Sequence, residues 1–291
     1  MNPVLSHLVG LLSLERIEIN LFRGQSQDLG WGTVFGGQVL GQALSAAVQT
    51  VPADRLVHSL HAYFLLPGNV KFPIVYEVER IRDGSSFTTR RVVAIQNGKA
   101  IFFMSASFAV SEEGFEHQDV MPDAPAPETL RTDMEVLMEQ AHRLPPGMRE
   151  RALVQGPFEL RTIDPLDDPI SPTPQPPRRM YWLRTTDRLP DDLQVHRYMA
   201  AYVSDYSFLT TALQPHGINW LSPGMQVASL DHVMWFHRPF RIDEWLLYVI
   251  DSPAACGSRG LVRGSIFSQD GKLVASTAQE GLMRQRAVVP G

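Results

Sequence analysis

One cysteine, Cys256, stands in 291 residues, which excludes an internal disulfide and any all-cysteine metal site and suits a reducing compartment. Positive charge is not in excess. Lys and Arg number 26 against 31 Asp and Glu, a formal net charge of -5, and the arginine pairs opening at Arg90 and Arg178 stand alone, so nucleic acid is not an expected partner. Long apolar runs are missing too. Stretches such as Ile101 to Met104 fall far short of the roughly 20 residues a membrane span requires, and no membrane association is expected. Met1 to Leu14 is apolar, but it lacks a basic leading stretch and a small-residue cleavage site. It reads as an amphipathic first helix rather than a signal peptide, and the expected location is the cytoplasm.

Several motifs of catalysis are absent as well. No Gly-x-Ser-x-Gly elbow occurs, which removes the usual serine nucleophile of α/β-hydrolases. His-Glu-x-x-His and Cys-x-x-Cys are absent, and Gly30-Trp31-Gly32 fails as a dinucleotide fingerprint because Phe35 stands where the third glycine belongs. Neither a metal nor an organic cofactor is expected. Cys256, beside Ala254, Ala255 and Gly257, reads as an inert small residue.

What is present is a soluble, two-part chain with 44% hydrophobic and 20% charged residues. Of 22 prolines, 12 fall between Pro122 and Pro177, where helix and strand patterns are interrupted. Only Thr132 to Arg143 carries a helical pattern there, with Met134, Leu137, Met138 and Ala141 on one face, and the rest reads as extended connection on the surface. The expected division is a first unit at 1–112, a Pro-rich linker at 113–156 and a second unit at 157–291.

The two units read as repeats. In the first, a helix opens at Gly36-Gly37-Gln38 and is followed by a strand from Val57, then Pro73 to Ile81, Phe87 to Gln96, an Asn97-Gly98 turn and Lys99 to Val110. The second runs from a helix near Leu193 to Asp205 through a strand from Val227, then Trp245 to Asp251, Gly260 to Ser268, an Asp270-Gly271 turn and Lys272 to Met283. Ser59-Leu60 matches Ser229-Leu230 at a spacing of 170, and Asn97-Gly98-Lys99 matches Asp270-Gly271-Lys272 at 173. Both dipeptides are strong signals of type I′ hairpins, which need positive φ at both central residues. One helix followed by an antiparallel meander, twice, is an α+β order: a curved sheet wrapped around an apolar helix. Val39, Leu40, Ala43, Ala46 and Ala47 suit that helix in the first unit, and Met199, Tyr202, Val203, Tyr206, Leu209 and Leu213 in the second.

The runs Leu21 to Ser26, Val34-Phe35-Gly36-Gly37-Gln38, Asp83 to Phe103, Ser204-Asp205, Ala212 to Gly217, Asp231 to Phe240 and Gln279-Glu280-Gly281 closely resemble the acyl-CoA thioesterase II family, from Leu11 to Arg284. The resemblance implies a double hotdog fold, hydrolysis of medium- to long-chain fatty acyl-CoA to fatty acid and CoA, and further assembly into a homo-oligomer, a dimer or tetramer. It also implies a water-orienting trio, which falls here on Asp205, Ser229 and Gln279; some members carry Thr where Ser229 stands, a swap that keeps the hydroxyl.

Those residue types fit the chemistry. Thioester hydrolysis needs a water, a base and donors for the oxyanion. The leaving thiol, with a pKa near that of cysteine at about 8.5, needs no strong acid. An Asp at the boundary of core and cleft gains basicity by desolvation, and Ser229 and Gln279 offer both donors and acceptors. By strand alternation Gln279 shares a face with Leu273, Ala275 and Thr277. For an Asp in a mostly apolar helix, the plain alternative is a cap or a solvated turn. The repeats also divide their assets: the first has no carboxylate near Leu44 to Ala47, and the second has no glycines at Asp191 to Gln194. Antiparallel helices would bring the Gly36-Gly37 backbone N–H groups, suited to an oxyanion, to the middle of the helix that carries Asp205; close helix packing is the alternative use of those glycines. His58 and His61 read as structural, and Arg90, Arg91, Arg259 and Arg263 are weak candidates for CoA phosphates. Two rival functions stay open, a non-catalytic acyl-CoA binding module and a hotdog enoyl-CoA hydratase, although the Asp–His pair of the latter would have to be Asp205 and His216, eleven residues apart.

Overall fold

The computed structural model of the protein describes residues 1–144, 149–150, 153–164 and 171–286. Residues 145–148 and 151–152 of the 113–156 segment and 165–170 and 287–291 of the second unit lie outside the described residues. The first half runs through α1 (Pro3–Leu12), β1 (Glu15–Glu18), β2 (Leu21–Gly24), α2 (Gly36–Val48), β3 (Leu56–Phe64), β4 (Ile74–Asp83), β5 (Phe87–Gln96) and β6 (Lys99–Ala109). Then come α3 (Asp133–Gln140), β7 (Phe158–Thr162), β8 (Arg178–Thr185), α4 (Leu193–Ser204), α5 (Thr210–Leu213), β9 (Met225–Ser229), β10 (Asp231–Phe236), β11 (Leu246–Cys256), β12 (Arg259–Ser268) and β13 (Leu273–Gln285). The strands form one antiparallel sheet in the order β1-β2-β4-β5-β6-β3-β10-β13-β12-β11-β8-β7, with β9 paired to β13. The two halves meet where β3 pairs with β10, Leu60 opposite Met234. This is the double hotdog, two curved sheets fused edge to edge around two helices.

The helices lie antiparallel and close because their contact face is nearly bare. A Cβ on Gly37 would stand 2.2 Å from the Tyr202 carbonyl oxygen, and one on Gly41 3.1 Å from that of Tyr198. Ala43, Ala46 and Ala47 are buried on the other sides of the same helix. Removal of the apolar side chains of one continuous core from water, with Leu40, Leu44, Phe108, Met199, Tyr248 and Ile250 all within it, is the main stabilising term. α1 forms as its pattern indicates: Asn2 caps it by accepting from the Leu5 N–H, and Leu5, Leu8 and Leu12 are buried.

Local chemistry departs from the sequence reading in several places. Asn97 and Gly98 both have positive φ (49° and 72°), as a type I′ turn needs, but at the Asp270-Gly271 turn only Gly271 does, with its N–H donating to the Ser268 carbonyl. The second type I′ pair is instead Gly257-Ser258, at 55° and 60°. The stretch from Pro122 to Pro177 is more than connection: it contains β7, an edge strand, where a neighbouring proline removes no ladder hydrogen bond. The segment before β7 covers the outer face of β8, β11 and β12. Met121, Ala124 and Leu130 pack on a second cluster of Trp182, Trp245, Leu247 and Phe267, and Trp182 donates its ring N–H to the Pro125 carbonyl at 2.9 Å. Leu273 packs on that cluster rather than on the face of Gln279, because the β12–β13 register shifts by one residue between Ile266 and Phe267. The strand expected from Val227 is broken into β9 and β10 by a similar shift at Leu230.

Candidate active site

α4 stops at Ser204, and Asp205 is its C-cap, not an interior residue. The apolar pattern that runs on to Leu213 crosses a turn, in which Ser207 takes a left-handed φ of 52°, and resumes in α5. Asp205 therefore sits at the negative end of its own helix. It also sits at the positive end of the other, since α2 begins with Phe35 as N-cap and no capping side chain. The start of α2 meets the end of α4, not its middle, and the Gly37 N–H donates to the Asp205 carboxylate. A Cβ on Gly36 would stand 2.8 Å from Asp205 Oδ2. The carboxylate thus takes over the role of a capping residue for α2.

Phe35, Tyr202 and Tyr206 surround this corner edge-on, with ring centroids 5.2 and 5.3 Å apart. Asp205 is half-buried as a residue, yet its carboxyl is deep among protein atoms. Desolvation raises it, against the hydrogen bonds from Gln279, Gly37 and Ser229 that lower it, and the outcome is a pKa of about 7.

Ser229 and Gln279 come from neighbouring strands. Gln279, on β13, is 1% exposed; its Nε2 donates to Ser229 Oγ at 2.8 Å, and both side chains also reach Asp205. Residues three apart on a regular strand point to opposite faces. Here the extra residue at Leu230 turns both Ser229 and His232 inward: the Leu230 N–H donates to the Glu280 carbonyl, and Asp231 Oδ1 accepts from the Glu280 N–H. His232, fully buried, bonds through Nδ1 to Gln279 Oε1 at 2.5 Å and through Nε2 to Ser204 Oγ at 2.9 Å. Its place in the site was hidden in the sequence, because strand alternation sets it on the face opposite Ser229. A cleft of about 700 Å³ borders Tyr202 and Tyr206, with Val4, Leu8, Leu29 and Val154 among its lining residues.

The other candidates lie elsewhere. His58 bonds Ser107 Oγ at 2.8 Å, and the rings of His61 and Trp235 meet edge-on. Arg90 is fully buried and out of reach of a phosphate, while Arg259 and Arg263 pair with Glu280 and Asp251. Cys256 is exposed next to the Gly257-Ser258 turn.

The comparisons agree with the fold. The family model described as acyl-CoA thioesterase N-terminal domain matches residues 26–109, and that described as acyl-CoA thioesterase matches 173–282. The chain is 47% identical to acyl-CoA thioesterase 2 of Haemophilus influenzae, over 98% of this chain and 99% of that one. It is 43% identical to human acyl-coenzyme A thioesterase 8, over 96% and 89%. A crystal structure of an acyl-CoA thioesterase II from Mycobacterium marinum superposes with a TM-score of 0.76 at 41% identity, covering 96% of this chain and 99% of the other. The chain belongs to the acyl-CoA thioesterase II family and is a thioester hydrolase. Among the described residues, no helix is long and apolar enough to cross a membrane.

Proposed function

We propose that the protein hydrolyses medium- to long-chain fatty acyl-CoA to fatty acid and CoA, with Asp205 as general base and Ser229 and Gln279 orienting the attacking water. One observation carries this reading: three donors, from Gln279, Gly37 and Ser229, converge on a single carboxyl whose pKa lies near 7, the range in which a general base is most effective. In this mechanism the water gives its proton to Asp205 as it attacks the thioester carbonyl. The oxyanion is stabilised by N–H donors at the start of α2, Gly36 and Gly37, and the C–S bond then breaks to release CoA thiolate. Gly37 would exchange its bond to Asp205 for one to the oxyanion as the carboxyl takes up the proton.

The bordering cleft supports a substrate with an extended acyl chain. Exposed Tyr63, Leu65 and Leu66 on and after β3, with Trp235 on the neighbouring β10, support assembly into a dimer or tetramer. We place the enzyme in the cytoplasm, with repeats at 1–112 and 157–291 joined by the 113–156 segment. The test is thiol release from acyl-CoA of graded chain length, with and without EDTA. Turnover rising from short to medium and long chains and indifferent to EDTA is expected; turnover abolished by EDTA, or best on acetyl-CoA, would contradict the proposal. Enoyl-CoA consumption without thiol would favour the hydratase, and binding without turnover the carrier.

A further inference from the structure

The strand registers superimpose the two repeats and show what each has put at the same place. In the first, Val57 pairs with Phe108 and His61 with Ser105. In the second, Ser229 pairs with Gly281 and Val233 with Ala278. Both strands carry their irregularity in the same spot, at His58 and at Leu230. Val57 therefore occupies the place of Ser229, correcting the match of Ser59 to Ser229. Leu60 occupies the place of His232, and Ala106 that of Gln279. Leu60 and Ala106 are as fully buried as their counterparts, so this fold builds the strand crossing from plain apolar residues. The His232–Gln279 pair is not a packing requirement, and burying two polar side chains there costs free energy unless their bonds are made.

The bonds impose a direction. The Gln279 amide nitrogen faces Ser229 and Asp205, so its oxygen faces His232 and needs a donor there. Only an imidazole protonated on Nδ1 provides one, and its bare Nε2 then accepts from Ser204 O–H. The same hydroxyl donates to the Ala201 carbonyl at 2.9 Å, so its single proton is shared between that oxygen and Nε2. Flipping the Gln279 amide by 180° would set its NH₂ against the Nδ1–H and its oxygen against the Asp205 carboxylate, two repulsive contacts in a low-dielectric site. Burial pushes His232 down to about 4, which keeps the ring neutral at the pH of catalysis.

We infer that His232 is a positioning residue for this hydrolysis: held by Ser204, it donates through Nδ1 to Gln279 Oε1 and so locks the amide with its NH₂ toward Ser229, Asp205 and the attacking water. The inference rests on the reading of Asp205, Ser229 and Gln279 as the catalytic trio. His232 touches neither base nor water and acts through Gln279 alone.

The experiment is a double-mutant cycle on thiol release, with melting temperatures recorded. His232→Leu should lower kcat roughly ten- to a hundredfold with KM within about twofold. His232→Asn, whose side-chain N–H falls close to the Nδ1 position, should recover most of that loss. In a Gln279→Ala background His232→Leu should cost nothing more, because nothing is left for it to orient. Normal turnover in His232→Leu, or losses that multiply in the double variant, would overturn the proposal while leaving the trio standing; a Gln279→Ala variant of full activity would overturn both. A readout that needs no unstable variant is ¹⁵N NMR of the histidine-labelled wild-type protein, with the His232 signal assigned by its loss in His232→Asn. A neutral Nδ1–H tautomer from pH 5 to 9 is expected, and an Nε2–H tautomer would sink the assignment.

Discussion

The antiparallel helix pair has two ends built from the same pieces, and among the described residues the candidate catalytic groups gather at one of them. Where α4 ends, Asp205 faces the glycine start of α2, and Ser229, His232 and Gln279 close in from β9, β10 and β13. Where α2 ends, the C-cap is Gln49, exposed and turned back on its own helix, and the strands present Val57, Leu60 and Ala106. At the start of α4, by contrast, Asp192 caps the helix from within by accepting from the Gln194 N–H. The interior at that end is plugged by Arg90, from the position that β12 fills with Val262. Its guanidinium donates to Thr50 Oγ1 and to the Thr50 carbonyl at 2.9 and 3.0 Å and pairs with Asp83, placing a cation at a helix C-terminus. Both helix ends are thus capped and filled, and the end we propose as catalytic is the one whose cap is a desolvated carboxylate borrowed from the opposite helix.

The comparison breaks most visibly at the carboxylate. Asp205→Asn should lower kcat by two or more orders of magnitude, the usual cost of losing a general base, while Cys256→Ser, on its exposed hairpin, leaves the rate intact; equal losses in both would remove Asp205 from the mechanism. A smaller loss is expected of Gly36→Ala, whose methyl would displace the carboxyl it now touches: kcat should fall by about tenfold or more, and an unchanged rate with unchanged melting temperature would show that the approach of the two helix ends does not set the base. At the opposite end the readout changes kind. Arg90→Leu should cost about 2–4 kcal/mol of stability, from hydrogen bonds lost at the end of α2, measured by urea unfolding, with kcat within about twofold. A rate loss there as large as that of Asp205→Asn would mean that the second end also takes part.

Much of this was legible in the sequence: two repeats, the helix openings, the Asn97-Gly98 hairpin, and the three side chains that converge on one point. The rest was set by tertiary geometry that local pattern does not encode. The apolar period of α4 continues past its true end, because Leu209 belongs to the same core after the turn at Ser207 and Leu213 is buried as well. The one-residue irregularity at Leu230 carries no residue signature, yet it decides that His232 rather than Asp231 meets Gln279. The spacing between Ser59 and Ser229 matched identical residues and not equivalent positions, which only the pairing partners reveal. β7 escaped notice among prolines, since an edge strand covered by a loop needs neither strict alternation nor an uninterrupted ladder.

The central claim is that catalysis depends on one desolvated carboxyl, and the pH dependence of kcat/KM tests it most directly. A base acts unprotonated, so the rate should be low in acid and rise about tenfold per pH unit until it levels off through an apparent pKa near 7. A profile already level from pH 5 upward would place the essential group at an ordinary carboxylate pKa and contradict the account.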